Sequence, residues 1–389
     1  MARFLFTTWD GAGNQPPAIA LARALEKRGH NVVFAGYENQ RRTFADRGLR
    51  FVTFERSGAH WLDEPAEKMF AVKLRAAWAS ADHLDELPAL MAGERCDAAV
   101  IDCLMFGALA AAEKNRLPAV VFVHSAPGAL MPPQGAFEAQ LLGPVNDMRR
   151  ITSLPPVASL WEAWTRFPAL SNSICELDPL SAQAPRSFRY LGPLTDGPAR
   201  SEWKSPWSRA DARPLVLVSF STGPYWDQTS RITRTLNALA DTECRVLVTA
   251  GRTEFDTSAV PGNAVVVNHA PHDRILPAAA LTVTHAGHGT VVASLKYGVP
   301  LLCLPNPVAD QPILARQVQA LGCGVALDGD NANANDIRAA AERMLTDASF
   351  AAQARRMADI LANAPGTPAG VTDLERVAHR SKAQLQSAP

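Results

Sequence analysis

The stretch AALTVTHAGHGTVVASLKYGVPLLCLP, residues 279–305, switches twice between the periodicities of strand and helix. An apolar strand pattern ends at Thr284, a glycine-rich turn follows, and apolar residues at helical spacing begin at once. A second apolar strand pattern then runs to Pro305. This order of strand, helix and strand predicts a parallel sheet that helices cover.

The turn within this stretch, His285–Thr290, has the composition of an anion site. Backbone amides at a helix N-terminus lack intrahelical acceptors, and Gly287 and Gly289 let a ligand come close to them. His285 adds a further hydrogen-bond donor. The alternative is that the glycines only make a tight turn and that both histidines are solvated.

A second polar pair follows the next strand. Asp310 and Gln311 stand at the carboxyl edge predicted for the same sheet. A carboxylate accepts hydrogen bonds and an amide both accepts and donates, so the pair suits the hydroxyl groups of a sugar. The competing interpretation is an ordinary helix cap.

The alternation of strands and helices recurs on both sides of a linker rich in Gly, Pro and charge. We therefore predict two Rossmann-like, doubly wound α/β domains that face a cleft. The predicted parts are an N-terminal acceptor-binding domain over 1–194, a linker over 195–213, a C-terminal donor-binding domain over 214–365, and a tail helix over 366–389. The tail helix is expected to pack back on the N-terminal domain.

Composition excludes several classes of partner. Lys plus Arg and Asp plus Glu both number 38, without long blocks of like charge, which argues against nucleic acid and anionic membranes. The six cysteines lack metal-binding spacing, the N-terminus does not resemble a signal peptide, and no apolar run has membrane-spanning length. We expect a cytoplasmic protein, monomeric or homodimeric, with a small-molecule partner.

Two segments, 57–92 and 125–173, depart from the regular alternation and are rich in Trp, Phe, Met and Pro. They are consistent with the walls of an apolar pocket. Ordinary packing of long excursions against the sheet explains them equally well.

The order of residues from His269 to Ala315, HAPHDRILPAAALTVTHAGHGTVVASLKYGVPLLCLP followed by DQP, resembles the donor-binding signature of GT-B, family 1 glycosyltransferases. The resemblance extends to RYLGPL, VSFST and the PPAIALARALEKRGHNV segment, so it touches both domains. It implies an inverting enzyme that transfers a sugar from a UDP- or TDP-sugar to a small, largely apolar acceptor. It also implies that the enzyme needs no metal ion and no cofactor, because the helix terminus and His285 neutralise the diphosphate.

The resemblance also assigns residues to the donor. His285 and the amides of the following turn contact the diphosphate, Asp310 and Gln311 hold the sugar, and the segment from His269 meets the base. The full donor-binding set is Ser221, Thr222, His269, Ala270, His272, His285, Gly287, His288, Gly289, Thr290, Asp310 and Gln311.

The catalytic base is where the chain departs from the family. The family places a histidine in a Gly-His-x-x-Pro turn before the first helix, and here Asn14 occupies that position. An amide has no basic lone pair, although it can orient a hydroxyl. Asp102 matches the family's supporting aspartate but would then have no histidine to support.

Three candidates for the base remain, namely Asp102 itself, Asp10 on the same turn as Asn14, and His124 at the end of the next strand. A histidine has the better pKa at neutral pH, whereas a carboxylate needs burial to raise its own. An acidic acceptor, or one glycosylated at carbon, would need no strong base.

Other functions compete with sugar transfer. A donor-binding homologue without transferase activity is compatible with Asn14, and a 2-epimerase has the same fold. A dinucleotide-dependent oxidoreductase is disfavoured, because Pro16 stands where the Gly11-Ala12-Gly13 turn would need its third glycine.

Overall fold

The computed structural model describes residues 1–11, 13–61, 68–195, 202–208, 210–220 and 228–386. The chain forms two compact units. The first comprises Met1–Cys175, Leu180–Asp196 and Pro365–Pro389, and the second comprises Glu176–Pro179 and Gly197–Ala364.

The first unit is built on a parallel sheet with the strand order β3-β2-β1-β4-β5-β6-β7. Strands β4 and β5 are buried along their whole length, as expected for central strands with helices on both faces. The strands are β1 (Arg3–Thr7), β2 (Asn31–Gly36), β3 (Phe51–Thr53), β4 (Ala98–Asp102), β5 (Ala119–Val123), β6 (Ala169–Ser171) and β7 (Phe188–Tyr190).

Helices connect these strands, and the first of them follows the sequence prediction closely. Pro17 lies in its first turn, and Gly29, just beyond its end, has a φ of +83° that favours glycine. The helices are α1 (Gln15–Lys27), α2 (Arg41–Ala45), α3 (Glu55–Gly58), α4 (Met69–Lys73), α5 (His83–Gly93), α6 (Phe106–Lys114), α7 (Pro127–Leu130), α8 (Ala136–Ile151) and α9 (Leu160–Thr165).

The second unit has its own parallel sheet, with the strand order β10-β9-β8-β11-β12-β13. Its strands are β8 (Leu215–Ser219), β9 (Arg245–Thr249), β10 (Ala264–Val267), β11 (Ala279–Thr284), β12 (Leu301–Cys303) and β13 (Gly324–Ala326). Its helices are α10 (Thr229–Leu239), α11 (His272–Ile275), α12 (His288–Lys296), α13 (Gln311–Ala320), α14 (Ala334–Thr346) and α15 (Ala348–Ala362). The fold prediction of two parallel-sheet α/β units is confirmed.

Each sheet contains a point at which the direction of strand addition reverses. In the first unit this point lies between β1 and β4, and in the second between β8 and β11. Helices leave the two neighbouring strands in opposite directions there, so the carboxyl ends of the strands border a crevice where α/β proteins bind ligands.

The last helix, α16 (Gly366–Gln386), belongs to the first unit. Val371, Leu374 and Ala378 lie in one apolar core with residues of β1 and α1. Glu375 forms ion pairs with Arg28 and His30 at the end of α1 and just beyond it. The described part of the chain contains no helix that combines the length and the apolar character needed to cross a membrane.

The aromatic segments contribute largely to the core. Trp78, Trp161 and Trp164 are buried in the apolar cluster beneath the first sheet, and the Trp164 indole donates to the Cys103 carbonyl. For these three residues the packing interpretation is correct.

Candidate active site

A buried carboxylate marks the reversal point of the first sheet. Asp102, the last residue of β4, is only 3% exposed. Its Oδ1 accepts hydrogen bonds from Trp9 Nε1 and the Leu104 amide, both at 3.0 Å. Its Oδ2 lies 3.2 Å from Asn14 Nδ2 and 3.1 Å from His124 Nδ1.

The contact with His124 follows from the register of the sheet. Asp102 pairs with Phe122 of β5, and His124 comes two residues later, so both side chains point to the same face. Asp102 therefore does have a histidine to support, and the expectation that it lacks one is wrong. The histidine comes from the next strand rather than from the turn before α1.

The two groups shift one another's pKa in opposite directions. Burial opposes the charge on Asp102, yet His124 and the hydrogen-bond donors around it lower the pKa of the carboxyl below its usual value. Burial likewise opposes protonation of His124, but the neighbouring Cys103 and Asp102 raise its pKa well above the usual value. Since an ionised carboxylate only accepts, the imidazole proton lies on Nδ1 and faces Asp102.

Asn14 is held in the same network. Its Nδ2 donates to the Trp9 carbonyl at 3.1 Å as well as to Asp102. Its Oδ1 is buried and has no hydrogen-bond partner among the described residues. A buried amide oxygen without a donor is costly, and it suits a site that receives a hydroxyl group from a ligand.

Asp10 lies apart from these hydrogen bonds. Its Oδ2 accepts from Asn39 Nδ2 at 3.0 Å on the exposed side of the turn, and it acts electrostatically on Lys73. Burial lowers the pKa of Lys73 to about 8, and the charge of Asp10 opposes that shift. The Lys73 amine stands 5.5 Å from the ring centre of Trp9.

Cys103 completes the surroundings of the imidazole. Its Sγ lies 3.6 Å from His124 Nδ1, and with Asp102 the three side chains bring potential metal-ligand atoms within 4.8 Å of one another. Burial raises the pKa of the thiol. We interpret the trio as a hydrogen-bonded cluster, because His124 Nδ1 lies within hydrogen-bond distance of both Asp102 Oδ2 and Cys103 Sγ.

The reversal point of the second sheet carries His285, directly after β11. This side chain is 8% exposed, and burial lowers its pKa to about 4. Burial therefore favours the neutral imidazole at pH 7, which is compatible with the predicted role of His285 as a hydrogen-bond donor. A Cβ on Gly287 would lie 2.4 Å from His285 Nε2, so only glycine lets the ring take this position.

The turn at His285–Thr290 leads straight into α12, which begins at His288. Ala286 has a φ of +61°, an uncommon conformation for a residue with a Cβ. The Thr290 amide donates to the Gly287 carbonyl at 3.0 Å. This amide, expected on the diphosphate, is thus already used within the turn, and the amides nearer the start of α12 are the better candidates.

The Asp310 and Gln311 pair opens α13. Asp310 occupies the N-cap position without a side-chain capping hydrogen bond to the helix, so the cap interpretation does not explain it. Gln311 Oε1 accepts from the Asn306 amide at 3.0 Å. This bond fixes the turn after β12 and directs the amide nitrogen of Gln311 away from Asn306.

In the segment expected at the nucleotide base, one histidine is held by a hydrogen bond to a neighbouring strand. His272 Nε2 lies 3.2 Å from Thr249 Oγ1 at the end of β9, and burial lowers the pKa of His272. His269 is exposed and Ala270 is half-buried. The predicted residues Ser221 and Thr222 lie outside the described part of the chain.

One contributor to the first site was missed by sequence reasoning. Trp9 bonds Asp102 through its indole nitrogen and Asn14 through its carbonyl. Gly11 packs against the same ring, since a Cβ there would lie 2.7 Å from it. The sequence signal that could have indicated this contact is a tryptophan two residues after the end of the first strand.

Comparison with known proteins finds similar sequences. A family model described as the C-terminal domain of erythromycin biosynthesis protein CIII-like proteins matches residues 233–376. Demethyllactenocin mycarosyltransferase of Streptomyces fradiae is 27% identical over 375 residues, covering 89% of this chain and 80% of its own.

Solved structures show the same fold. The kitacinnamycin glycotransferase superposes with a TM-score of 0.79 at 21% identity, covering 97% of this chain and 99% of its own. Glycosyltransferase VinC in complex with DTDP gives a TM-score of 0.73 at 21% identity, covering 97% of this chain and all of its own.

The two parallel-sheet units have the GT-B fold of these glycosyltransferase structures. In sequence the chain is similar over most of its length to a glycosyltransferase of this kind, and over residues 233–376 to a C-terminal domain of natural-product biosynthesis proteins. These relatives support an enzyme that transfers a sugar.

Proposed function

We propose that the enzyme transfers a sugar with inversion from a UDP- or TDP-sugar to a small, largely apolar acceptor, with His124 as the general base. The observation that carries this proposal is the hydrogen bond between His124 and Asp102 at the reversal point of the first sheet. It restores, from a neighbouring strand, the imidazole and carboxylate pair that Asn14 removes from the turn.

His124 fits the role of base better than either aspartate. Asp102 already accepts hydrogen bonds on both oxygens, and its lowered pKa makes it a weak base. Asp10 is bonded to Asn39 on the exposed side of the turn. With Nδ1 held by Asp102, the Nε2 atom of His124 is the nitrogen that takes the proton.

Asn14 would orient the acceptor. Its buried Oδ1 lacks a donor among the described residues, and an acceptor hydroxyl would supply one. Asn14 and His124 are bonded to the same carboxylate oxygen, so their free functional atoms belong to one small region. In this proposal Asn14 positions the acceptor hydroxyl, and His124 takes the proton that the missing histidine would take.

The reaction balances with these groups. The acceptor oxygen attacks the anomeric carbon and forms the new C–O bond, while the bond from that carbon to the β-phosphate oxygen breaks. The electron pair of the broken bond leaves with the nucleoside diphosphate, and the hydroxyl proton passes to His124. Attack from the face opposite the leaving group inverts the configuration.

The donor would bind to the second unit. His285 and the first amides of α12 contact the diphosphate, and Asp310 and Gln311 contact the sugar hydroxyls. The segment at His269–His272 meets the base. We expect no metal ion or cofactor to be required, because hydrogen-bond donors already surround the proposed diphosphate position.

The acceptor side is apolar next to the proposed base. The Trp9 ring meets Trp78 at 5.9 Å between centroids, and Trp78 in turn meets Phe70 and Phe137 at 5.4 Å. Trp9 also bonds Asp102. Trp78 packs in the core, so the exposed Phe70 and the half-buried Phe137 at the far end of this row are the aromatic groups that support an apolar acceptor.

The test is incubation with a panel of UDP- and TDP-sugars and of aromatic and macrocyclic acceptors, with products detected by mass and their anomeric configuration by NMR. We expect an inverted glycoside, and His124→Ala should lower turnover by about 10²-fold or more. Retained configuration would contradict the inverting mechanism. Full activity of His124→Ala would remove His124 from the mechanism.

A further inference from the structure

The proposed reaction needs a group that stabilises the negative charge of the departing nucleoside diphosphate. The departing nucleoside diphosphate gains negative charge as the glycosidic bond breaks, and His285 is neutral because burial lowers its pKa to about 4. Helix N-termini contribute partial charges only. A full positive charge near His285 would stabilise the leaving group most effectively.

Arg231 is the cation that the structure places there. It lies in the first turn of α10, and its side chain is 7% exposed. Its Nη2 lies 2.5 Å from Asp330 Oδ1 and 3.4 Å from the Pro305 carbonyl at the end of β12. Its charge also contributes to lowering the pKa of His285, so the two groups are electrostatic neighbours.

Arg231 and two residues close in the chain to it or to its Pro305 contact have buried polar atoms without hydrogen-bond partners. Arg231 Nε, both amide atoms of Gln228 and both amide atoms of Asn306 are buried without a partner among the described residues. Gln228 is 1% exposed and Asn306 is not exposed at all. Gln228 stands one turn before Arg231, and Asn306 follows the carbonyl that Arg231 contacts.

Buried polar atoms in folded proteins nearly always have partners, so a cluster of orphan donors and acceptors beside a cation indicates a polar, anionic ligand. Asn306 is also tied to the donor side through its backbone N–H, which donates to Gln311 Oε1, while its side-chain amide has no partner among the described residues. The cluster therefore adjoins both the turn proposed for the diphosphate and the pair proposed for the sugar.

We infer that Arg231, flanked by the Gln228 and Asn306 amides, contacts the β-phosphate of the donor and is the cation that stabilises the leaving nucleoside diphosphate. This inference rests on the proposed function, since it takes the diphosphate to bind at the same sheet edge. On donor binding the guanidinium keeps its Nη2 bond to Asp330 and offers Nε to a phosphate oxygen. As the bond to the anomeric carbon breaks, the charge that accumulates on that oxygen meets the guanidinium.

A purely structural role for Arg231 is the alternative. Arg231 and Arg234 both leave α10 toward the same loop, where Arg234 donates to the carbonyls of Gly329, Asp330 and Ala332. Arg234 therefore provides a matched control. It holds the loop but has none of the orphan atoms that surround Arg231.

The experiment measures binding of UDP and TDP, and of uridine and thymidine, to the wild type and to Arg231→Met, Arg231→Lys, Arg234→Met and Asp330→Asn. We expect Arg231→Met to weaken diphosphate binding about tenfold or more, leave nucleoside binding unchanged and lower turnover about 10²-fold. Lysine should restore part of the loss, because it keeps the charge but not the planar fork. Arg234→Met should bind like the wild type.

Asp330→Asn distinguishes a role of Arg231 in diphosphate binding from a role in tying α10 to the loop, because it leaves the charge of Arg231 in place. If the charge serves the diphosphate, this variant binds it as well as or better than the wild type. If Arg231 only ties α10 to the loop, Asp330→Asn and Arg234→Met weaken binding as much as Arg231→Met, and the inference is overturned.

Two further outcomes distinguish a failure of the inference about Arg231 from a failure of the proposed function. A wild type that binds neither UDP nor TDP contradicts the proposed donor. A wild type and an Arg231→Met variant that bind equally, with equal turnover, overturn the inference alone. If Arg231→Met fails to fold, Arg231→Lys and Asp330→Asn still decide the question.

Discussion

His124 Nδ1 lies 3.1 Å from Asp102 Oδ2, across the neighbouring parallel strands β5 and β4. The histidine follows the register partner of the aspartate by two residues, which gives both side chains the same face. In the proposed mechanism, the proton acceptor missing from the turn before α1 is supplied by the adjacent strand and supported by the same Asp102.

The pair predicts the pH dependence of turnover. His124 acts as a base only when neutral, and Asp102 and Cys103 outweigh burial to raise its pKa well above 6.5. We therefore expect kcat/KM to rise with pH through an inflection above 6.5. Asp102→Asn removes the negative charge, lowers the pKa of His124 and moves that inflection to lower pH, while maximal turnover falls.

The control for this profile is His60→Gln, which removes a histidine paired with Asp82 in the same unit. Its inflection should match that of the wild type. An Asp102→Asn profile with an unmoved inflection would show that another group controls the rate.

Gly287→Ala is predicted to impair the donor site. The new Cβ would lie 2.4 Å from His285 Nε2, so the ring must leave its position. We expect binding of the nucleoside diphosphate to weaken about tenfold or more, since a hydrogen bond to a charged group is lost. Calorimetric titration with UDP and TDP measures the effect.

Gly143→Ala is the control, because nothing lies within 4 Å of a Cβ at that position. It lies inside α8, away from the proposed donor-binding residues, where alanine is a better helix former than glycine. Equal losses of binding in the two variants would show that displacement of His285 is not the cause.

The buried His83 predicts an acid-sensitive stability. Burial lowers its pKa to about 3, whereas the unfolded chain has a histidine pKa near 6.5. Between these values the unfolded state binds one more proton, so the free energy of unfolding falls as the pH falls, by about 1.4 kcal/mol per pH unit. His83→Gln should remove this part of the slope in urea unfolding followed by tryptophan fluorescence.

The measurement is a comparison of slopes, so a lower absolute stability of His83→Gln does not affect it. His285 contributes in the same direction in both proteins. Parallel lines for the variant and the wild type from pH 6.5 to 4 would contradict the prediction.

Leu374→Ala tests the attachment of α16. The side chain is fully buried in a core shared with β1 and α1, so its truncation should lower the free energy of unfolding of the first unit by about 2–5 kcal/mol. Arg380→Ala, at an exposed position of the same helix, should change it by less than about 0.5 kcal/mol. Scanning calorimetry reports both, and equal melting temperatures would contradict the prediction.

The sequence allowed the fold to be predicted because its strands and helices carry local signals. The helix from Gln15 has proline in its first turn and glycine just after its end, and the turn at His285 stands between an apolar strand and an apolar helix. The carboxyl ends of parallel strands share one edge of a sheet, so Asp102 and His124 could be assigned to the same edge.

The contacts that were not predicted depend on strand register and on residues far apart in the sequence. The hydrogen bond between Asp102 and His124 requires the pairing of β4 with β5. Trp9, which also donates to Asp102, follows a third strand, β1. Arg231 looks like an ordinary helix residue in the sequence. Its significance comes from Pro305 and Asp330, which the fold brings to it from 74 and 99 residues away.

The place of α16 in the first unit has a consequence for synthesis on the ribosome. Residues Gly197–Ala364 of the second unit are all made before α16 emerges, whereas the core around β1 lacks Val371, Leu374 and Ala378 until then. The first strands to be translated therefore keep an uncovered apolar surface for nearly the whole length of the chain. The half that is begun first is completed last, so its nascent form exposes apolar surface, and with it a risk of aggregation, for the longer time.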